Sequence, residues 1–505
     1  MNPQSRNIES IIIVGGGTAA WMTAAYLGKF LENQDVRIRV VESSASSAIG
    51  VGEASLPTLI RFLRNLGFDE YEFIKYCGAT YKLAIEFAGW TDRRASFWHP
   101  FGVTGPEVNH LDFFHAWLKH RNNPDQSFEY SDYSIHKKIA EAKLGPTGFR
   151  DASNIITEGS YAYHFDTGAF IDFLKVKSIE LGVLRIVDAV DDVEIETNQI
   201  ARLQCKSGKS LEADLYIDCT GFEAVLIEPL LDSEYLSYGN RLLCDTAIVC
   251  ELPVDEELRC STRSSALSAG WMWDIPLRDR RGAGYVFSST FTDTAEAVKE
   301  FKSAVSLDPN FDAIREIPMK IGRRSSFWTK NCLAIGLAAG FLEPLESTGL
   351  HLIQTAIELF MDHFPDKQMN SSLQSNYNRL VTTQFDQISD FIQLHYYLSK
   401  GNNSPFWLAA RQAGLSSELE NRIELYLENG LLGNLSPLAF PSSSYYHILS
   451  GNEIFPRRPA AAIEMMDQRA LSSMMENIPS QITNVLNNLP SHRTLISYIN
   501  SVSSN

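Results

Sequence analysis

Ile11-Ile12-Ile13-Val14-Gly15-Gly16-Gly17-Thr18-Ala19-Ala20-Trp21 joins a β-branched run to a glycine-rich turn. Its run of β-branched residues predicts a short strand. The three glycines predict a tight turn, and Trp21–Phe30 continues with helical spacing. The turn has the spacing G-x-G-x-x-A. Gly15 permits the turn, Gly17 lets the backbone approach a pyrophosphate, and Ala20 allows close packing of helix on sheet. A helix N-terminus at this point favours phosphate charge. Val36–Glu42 alternates and predicts a second strand, with Glu42 at its end to bind a ribose hydroxyl. The expected class is α/β, opening with a dinucleotide-binding β-turn-α-β unit.

Downstream, the chain continues as α/β and then changes character. Residues 58–90 read as largely helical and residues 120–160 as polar surface excursions. A helix is expected from Thr167. Strands are expected at Ile186–Val190, Asp192–Thr197, Ile200–Cys205, Leu215–Cys219, Thr246–Leu252 and Tyr285–Thr290. Helical patterns dominate from about Thr348: Leu350–Phe364, Ser375–Leu398, Leu419–Leu427 and Met465–Asn488, the last broken at Pro479. The division expected is 1–360 as an α/β dinucleotide domain with helical insertions near 58–130. Residues 361–505 form a mainly helical, substrate-covering region.

At 505 residues, with 44% hydrophobic and 21% charged residues, the composition is that of a globular protein and excludes long disorder. The formal net charge of -17 argues against nucleic-acid binding, because an acidic surface repels phosphate backbones. Seven cysteines stand without a CxxC pair, so neither a zinc site nor a disulfide framework is expected and no metal is called for. No apolar run approaches the roughly 20 residues of a membrane helix. A reducing, cytoplasmic setting is the expectation.

Four further stretches carry chemical interest. Asp214–Gly221 reads as a strand ending in a small-residue turn, where a second strand meets a bound dinucleotide. Ala334–Gly349 runs from a strand through Gly336-Leu337 to a helix start, with Glu343 and Glu346 flanking Pro344 and read as helix N-terminal acids. Trp271-Met272-Trp273 places two indoles on one face of a strand. Lys82 stands alone in the apolar stretch Ala79–Phe87, where burial would make it unusual.

Together these motifs resemble the flavin-dependent tryptophan halogenases. Residues 11–27 resemble the FAD-binding start of that family, and Gly50–Pro57 resembles its flavin strap. Trp271-Met272-Trp273-Asp274-Ile275-Pro276 matches the family signature W-x-W-x-I-P, and Phe341–Leu350 resembles the region of its active-site Glu. The resemblance implies a Rossmann-like FAD domain of the glutathione reductase/aromatic hydroxylase type, with a β-sheet layer and a helical C-terminal substrate region. It implies FAD contacts from Gly15, Gly17, Thr18, Ala19, Ala20, Glu42, Val51, Gly52, Ala54, Ser55, Gly336 and Leu337.

The implied reaction uses reduced FAD, O2 and chloride or bromide to make hypohalous acid. Halide binds near the backbone of Thr348 and Gly349. Lys82 hydrogen-bonds the hypohalous acid or forms a haloamine. Glu346 polarises that species or takes the ring proton, and the two side chains stabilise each other as ions. Trp271 and Trp273 separate substrate from flavin, which keeps oxygen insertion out. An aromatic monooxygenase and a non-catalytic flavin-binding protein are the alternatives on the same fold.

The resemblance implies substrate contacts from His99, Phe101, Tyr445, Tyr446, Glu453 and Phe455. One departure matters: Phe455 is followed by Pro456, and no Trp occurs after Trp407, so a wall of the family's tryptophan pocket is absent. The expected substrate is therefore an electron-rich, indole-like aromatic. Without a second nucleotide motif, reduced flavin would come from a separate flavin reductase. A homodimer is the assembly that the family suggests.

Overall fold

The computed structural model describes residues 7–44, 52–121, 128–148, 160–230 and 233–502. Its organising sheet has six strands, ordered Trp328–Thr329, Cys332–Ala334, Leu215–Asp218, Ser10–Val14, Arg37–Glu42 and Leu184–Val187. All neighbours are parallel except the first pair. Ile11, Ile12 and Ile13 are fully buried, as parallel strands are when neither face of the sheet is left to solvent. The Thr18–Phe30 helix packs between this sheet and the helices Thr167–Glu180 and Gly349–Asp362. It is consequently apolar nearly all round, from Ala20 to Gly28.

A second sheet of seven strands stands beside the first, in the order Arg315–Pro318, Thr246–Pro253, Arg280–Phe287, Gly270–Pro276, Ser261–Leu267, Ala84–Ala88 and Ser96–Pro100. Its neighbours are antiparallel apart from Ser261–Leu267 against Ala84–Ala88. The Gly270–Pro276 strand is buried along its whole length, which places both indoles of the W-x-W motif inside the molecule. A small sheet of Glu53–Ala54, Ala162–Phe165 and Thr80–Lys82 bridges the region between them.

Three expectations change. The helical reading of residues 58–90 holds only to Tyr76; Thr80–Lys82 and Ala84–Ala88 are strands. Apolar residues at mixed spacing fit either period, and sheet pairing with Ser261–Leu267 decided it. Residues 120–160 are not merely surface. The described part contains the Ile135–Glu141 helix and the buried Tyr130, Tyr133 and Ile139. Finally, Pro479 does not break its helix, which runs from Gln468 to Leu486. The lost N–H bond is borne on a helix whose Leu471, Met475 and Ile482 are packed into the protein, so tertiary burial outweighs the local cost.

Candidate active site

The glycine turn opens a cleft of about 830 Å³ between the two large sheets. Gly15, Gly17, Thr18 and Ala19 line it, as do Gly52, Ala54, Gly336 and Leu337. Gly15 has φ +136°, and a Cβ there would lie 2.3 Å from the Cys219 carbonyl oxygen. No other residue fits that position. A Cβ at Gly17 would meet nothing within 4 Å, so the backbone faces open space at the start of the helix. That combination fits a pyrophosphate, since the first-turn N–H groups lack helical partners.

Asp218 stabilises the far wall of this cleft. One carboxylate oxygen accepts from the Thr220 N–H (2.9 Å) and hydroxyl (2.6 Å); the other accepts from the N–H groups of Leu226 (2.8 Å) and Ile227 (2.9 Å). It fixes the turn that carries the cleft residues Thr220–Glu223.

Three FAD candidates lie elsewhere. Ala20 is buried within the helix rather than on the cleft surface. Glu42 is also buried and does not line the cleft; its carboxylate accepts from Trp21 Nε1 (3.1 Å) and Arg185 Nε, and Lys175 Nζ stands 3.6 Å away. Its charge is already met by two cations, which leaves the ribose role without support. Ser55 sits behind the wall, bonded both ways to the Tyr163 backbone. Val51 lies outside the described residues.

Beyond the cleft wall is Lys82, wholly buried. Its Nζ donates to the Ser347 hydroxyl (2.7 Å) and to the Ser55 carbonyl (3.2 Å), and lies 5.1 Å from the centre of the Phe101 ring. Ser347 lines the cleft on one side, so the amine lies one side chain deep from it. Burial pulls the Lys82 ammonium down to about 7, against the opposing pull of Glu346 and Glu53. Glu53, in the cleft wall, is pushed up to about 7 by burial, which outweighs its bond from the Ala54 N–H and the charge of Lys82.

Glu346 ends a single 3-10 turn, Pro344–Glu346. Ser347 follows at φ +58°, and this left-handed step sends neighbouring side chains to different sides. Glu346 is fully buried and makes no direct ion pair with Lys82. His395 Nε2 lies 2.7 Å from Oε1, and His99 Nδ1 lies 3.0 and 2.9 Å from the two oxygens. Burial alone would raise this carboxyl; the two imidazoles overcome it and hold the group down at about 2. The mutual stabilisation expected between Lys82 and Glu346 is therefore indirect. His395, on the Ser371–Leu398 helix, was not visible as a site residue, because it is separated by 49 positions from Glu346.

His99 is also engaged edge-on rather than presented as a free wall. Its Nε2 bonds the Ser444 hydroxyl (2.9 Å), and its ring stands among Phe101, Phe391, Phe440 and His447.

Thr348 is buried, and its hydroxyl has no partner among the described residues. Gly349 lines the cleft and opens a 14-residue helix. An unpaired donor beside a helix start is chemistry suited to a small anion. Trp271 and Trp273 form the adjoining wall, ring centres 6.1 Å apart. Trp271 Nε1 donates to Glu343 (3.1 Å), which also accepts from the Tyr396 hydroxyl (2.6 Å). Glu343 is thus not a solvated helix-cap acid but a buried anchor, its carboxyl pushed up to about 7 by burial.

The remaining substrate candidates divide. Glu453 and Phe455 line a second cavity of about 430 Å³, together with Arg94, Phe97, Trp98, Trp117 and His447. Glu453 is bound by Arg94 (2.9 Å), and Arg121 covers the Phe455 ring at 3.6 Å. Tyr445 and Tyr446 line neither cavity. Tyr445 packs against Phe391 (4.7 Å), and Tyr446 stacks on Phe114 (4.1 Å) while donating to the Gly430 carbonyl (2.9 Å). Among the described residues there is no group of His, Cys, Asp and Glu arranged to hold a metal ion. No described helix is long and apolar enough to cross a membrane.

The family model for tryptophan halogenase matches residues 10–468. The tryptophan 6-halogenase ThaL of Streptomyces albogriseolus is 34% identical over 502 residues, covering 91% of this chain and 92% of ThaL. Among solved structures, BrvH, a flavin-dependent halogenase from Brevundimonas sp. BAL3, superposes with a TM-score of 0.90 at 33% identity, covering 97% of this chain and 99% of BrvH. A flavin-dependent halogenase from Xanthomonas campestris does so with a TM-score of 0.92 at 32% identity, covering 99% and 100%. With a cleft shaped for a dinucleotide and this likeness along nearly the whole chain, the protein belongs to the tryptophan halogenase family of flavin-dependent enzymes.

Proposed function

We propose that this enzyme halogenates an uncharged, indole-like aromatic, passing halogen from the FAD cleft through Lys82, with chloride or bromide as halide. The observation that carries the reading is the position of Lys82: its Nζ is one hydroxyl away from the cleft through Ser347 and packs on Phe101, beside His99 and the Glu346 cluster. A buried amine at that point can receive a halogen from one side and deliver it to the other.

Gly15, Gly17, Thr18, Ala19, Gly52, Ala54, Gly336 and Leu337 would hold FAD, and the open backbone at Gly17 supports that fit. Reduced FAD, when bound, supplies the oxygen activation that converts halide to hypohalous acid. Thr348 and Gly349 would hold the halide. Lys82 would bind the hypohalous acid or take its halogen, and Glu346 would polarise that species or accept the ring proton. Trp271, fixed by Glu343 and Tyr396, keeps the aromatic away from the flavin.

The deciding experiment combines enzyme, FAD, a flavin reductase, NADH and bromide or chloride with indole, tryptophan and a panel of phenols. A halogen isotope pattern in the product mass spectrum is expected, and an added oxygen in its place would overturn the reading. Because the Lys82 amine titrates at about 7, the lone pair needed to take a halogen becomes available as pH rises through that value. Halogenated product per flavin oxidised should therefore increase from about pH 6 to about pH 8. A flat or falling profile would remove the amine from the mechanism.

Glu453 bears on substrate charge. Glu453 lines the second cavity and is held by Arg94, so a substrate ammonium entering there would have to compete for it. Indole is expected to outperform tryptophan in kcat/KM. Arg94→Gln should improve tryptophan relative to indole by about 2- to 5-fold, the range of one partly exposed ion pair. Competition assays on the purified variant measure this directly.

A separate reductase is proposed as the source of reduced flavin, and reductase-free oxidation of NADH at a substantial rate would refute it. A homodimer is the proposed assembly. The seven cysteines are free and buried, which supports a reducing, cytoplasmic setting.

A further inference from the structure

The hydrogen bonds around Glu346 count protons. His395 is fully enclosed, and its Nδ1 lies 2.8 Å from the Phe391 carbonyl oxygen. A carbonyl only accepts, so Nδ1 carries a hydrogen. Its Nε2 lies 2.7 Å from Glu346 Oε1, and that bond needs a second hydrogen. His99 has no such requirement. Its Nδ1–H donates to both Glu346 oxygens, while its Nε2 accepts from the Ser444 hydroxyl. One hydrogen on Nδ1 satisfies the whole ring. The pair His395–Glu346 therefore holds one proton more than a neutral imidazole beside a carboxylate.

We infer that His395 is a positioning residue, an imidazolium that neutralises Glu346 and so weakens that carboxylate as a counter-ion to Lys82. This rests on the reading of Lys82 as the halogen-carrying amine. The ion pair His395–Glu346 is closed on itself, in a pocket where a single unbalanced charge acts strongly. Lys82 accordingly bonds only neutral acceptors, Ser55 and Ser347. A lone Glu346 carboxylate would hold the proton on Lys82, and an ammonium has no lone pair. With the amine free, halogen transfer balances as R–NH2 + HOX → R–NHX + H2O. The N–X bond forms, the O–X bond breaks, and the displaced N–H proton leaves with the hydroxide as water.

The groups facing this cluster are few. Lys82 is also influenced by Glu53 and acts on His164. His395 packs on Phe87, Trp90 and Phe391 and faces Glu343 electrostatically. His99 faces His447. Among the described residues, only His395 presents two hydrogen-requiring contacts to acceptors of this strength.

The test has one readout that does not depend on turnover. The full chain, labelled with ¹⁵N-histidine, is examined by long-range ¹H–¹⁵N correlation at about pH 8, where an unperturbed imidazole is neutral. One doubly protonated imidazolium is expected, and it should vanish in His395→Gln. A wild-type spectrum with no imidazolium overturns the inference, whether or not the enzyme halogenates. The second readout is the pH profile of halogenated product per flavin oxidised. Gln keeps an N–H donor toward Glu346 but carries no charge. Its midpoint should move up by about one pH unit or more, with FAD binding unchanged and full coupling recovered at high pH. A loss at every pH with an unmoved midpoint would mark a merely structural role and overturn the proposal. Should His395→Gln fail to bind FAD, His395→Asn takes its place in both measurements.

Discussion

Replacing Lys82 by Ala is expected to lower halogenated product by at least about 100-fold, the loss typical of removing a reacting group. FAD binding should persist, because Lys82 lies behind the cleft wall and bonds Ser55 and Ser347 rather than lining the cavity. Oxidation of reduced flavin should persist too. Hypohalous acid would then escape, so an added scavenger dye should be halogenated while the aromatic substrate is not. The measurement is product mass spectrometry beside a flavin absorbance trace. Full product yield in the variant would show that halogen reaches the ring without the amine. Truncation also leaves a cavity and two unpaired acceptors, so Lys82→Met, which fills the space, is the control for stability.

The second large effect belongs to Gly15. Gly15→Val puts a branched side chain at φ +136°, where its Cβ would meet the Cys219 backbone oxygen at 2.3 Å. Neither partner can yield: Cys219 continues the Leu215–Asp218 strand and its N–H bonds the Val14 carbonyl (2.8 Å), while the Gly15 N–H bonds the Val41 carbonyl (2.9 Å). The cost should be about 2–4 kcal/mol in stability, with FAD affinity reduced by at least about 100-fold. Thermal unfolding with and without FAD, and a flavin fluorescence titration, give both numbers. An unchanged affinity would mean that the turn is not the phosphate cradle.

Local reading reached the glycine turn and several strands, and missed which side chains meet across the fold. The turn at Gly15–Gly17 was legible because its requirements are local: a positive φ, a close backbone approach and a helix start all fall within seven residues. The strands Leu215–Asp218 and Thr246–Pro253 were legible for a similar reason, as continuous apolar runs bounded by turns. Residues 80–88 misled, because Lys82 interrupts an apolar stretch that fits a helix and a strand equally. Only pairing with Ala162–Phe165 and Ser261–Leu267 settled the register. Glu343 and Glu346 looked alike from the sequence, two acids flanking one proline. The neighbours they meet make one an anchor of Trp271, its carboxyl pushed up by burial, and the other a carboxylate held low between two imidazoles.

By itself, then, the sequence determined the α/β opening unit and the family, and it singled out Lys82 and Glu346 as candidates, because motifs of fixed spacing carry that information along a single segment. The tertiary structure alone decided which charges meet. It gave Glu42 to Arg185 and Lys175, Glu453 to Arg94, and Glu346 to His99 and His395. It also buried Lys82 beside neutral acceptors. Those pairings join residues far apart in the chain, and an electrostatic partner is set by distance and burial in three dimensions, which no local pattern records.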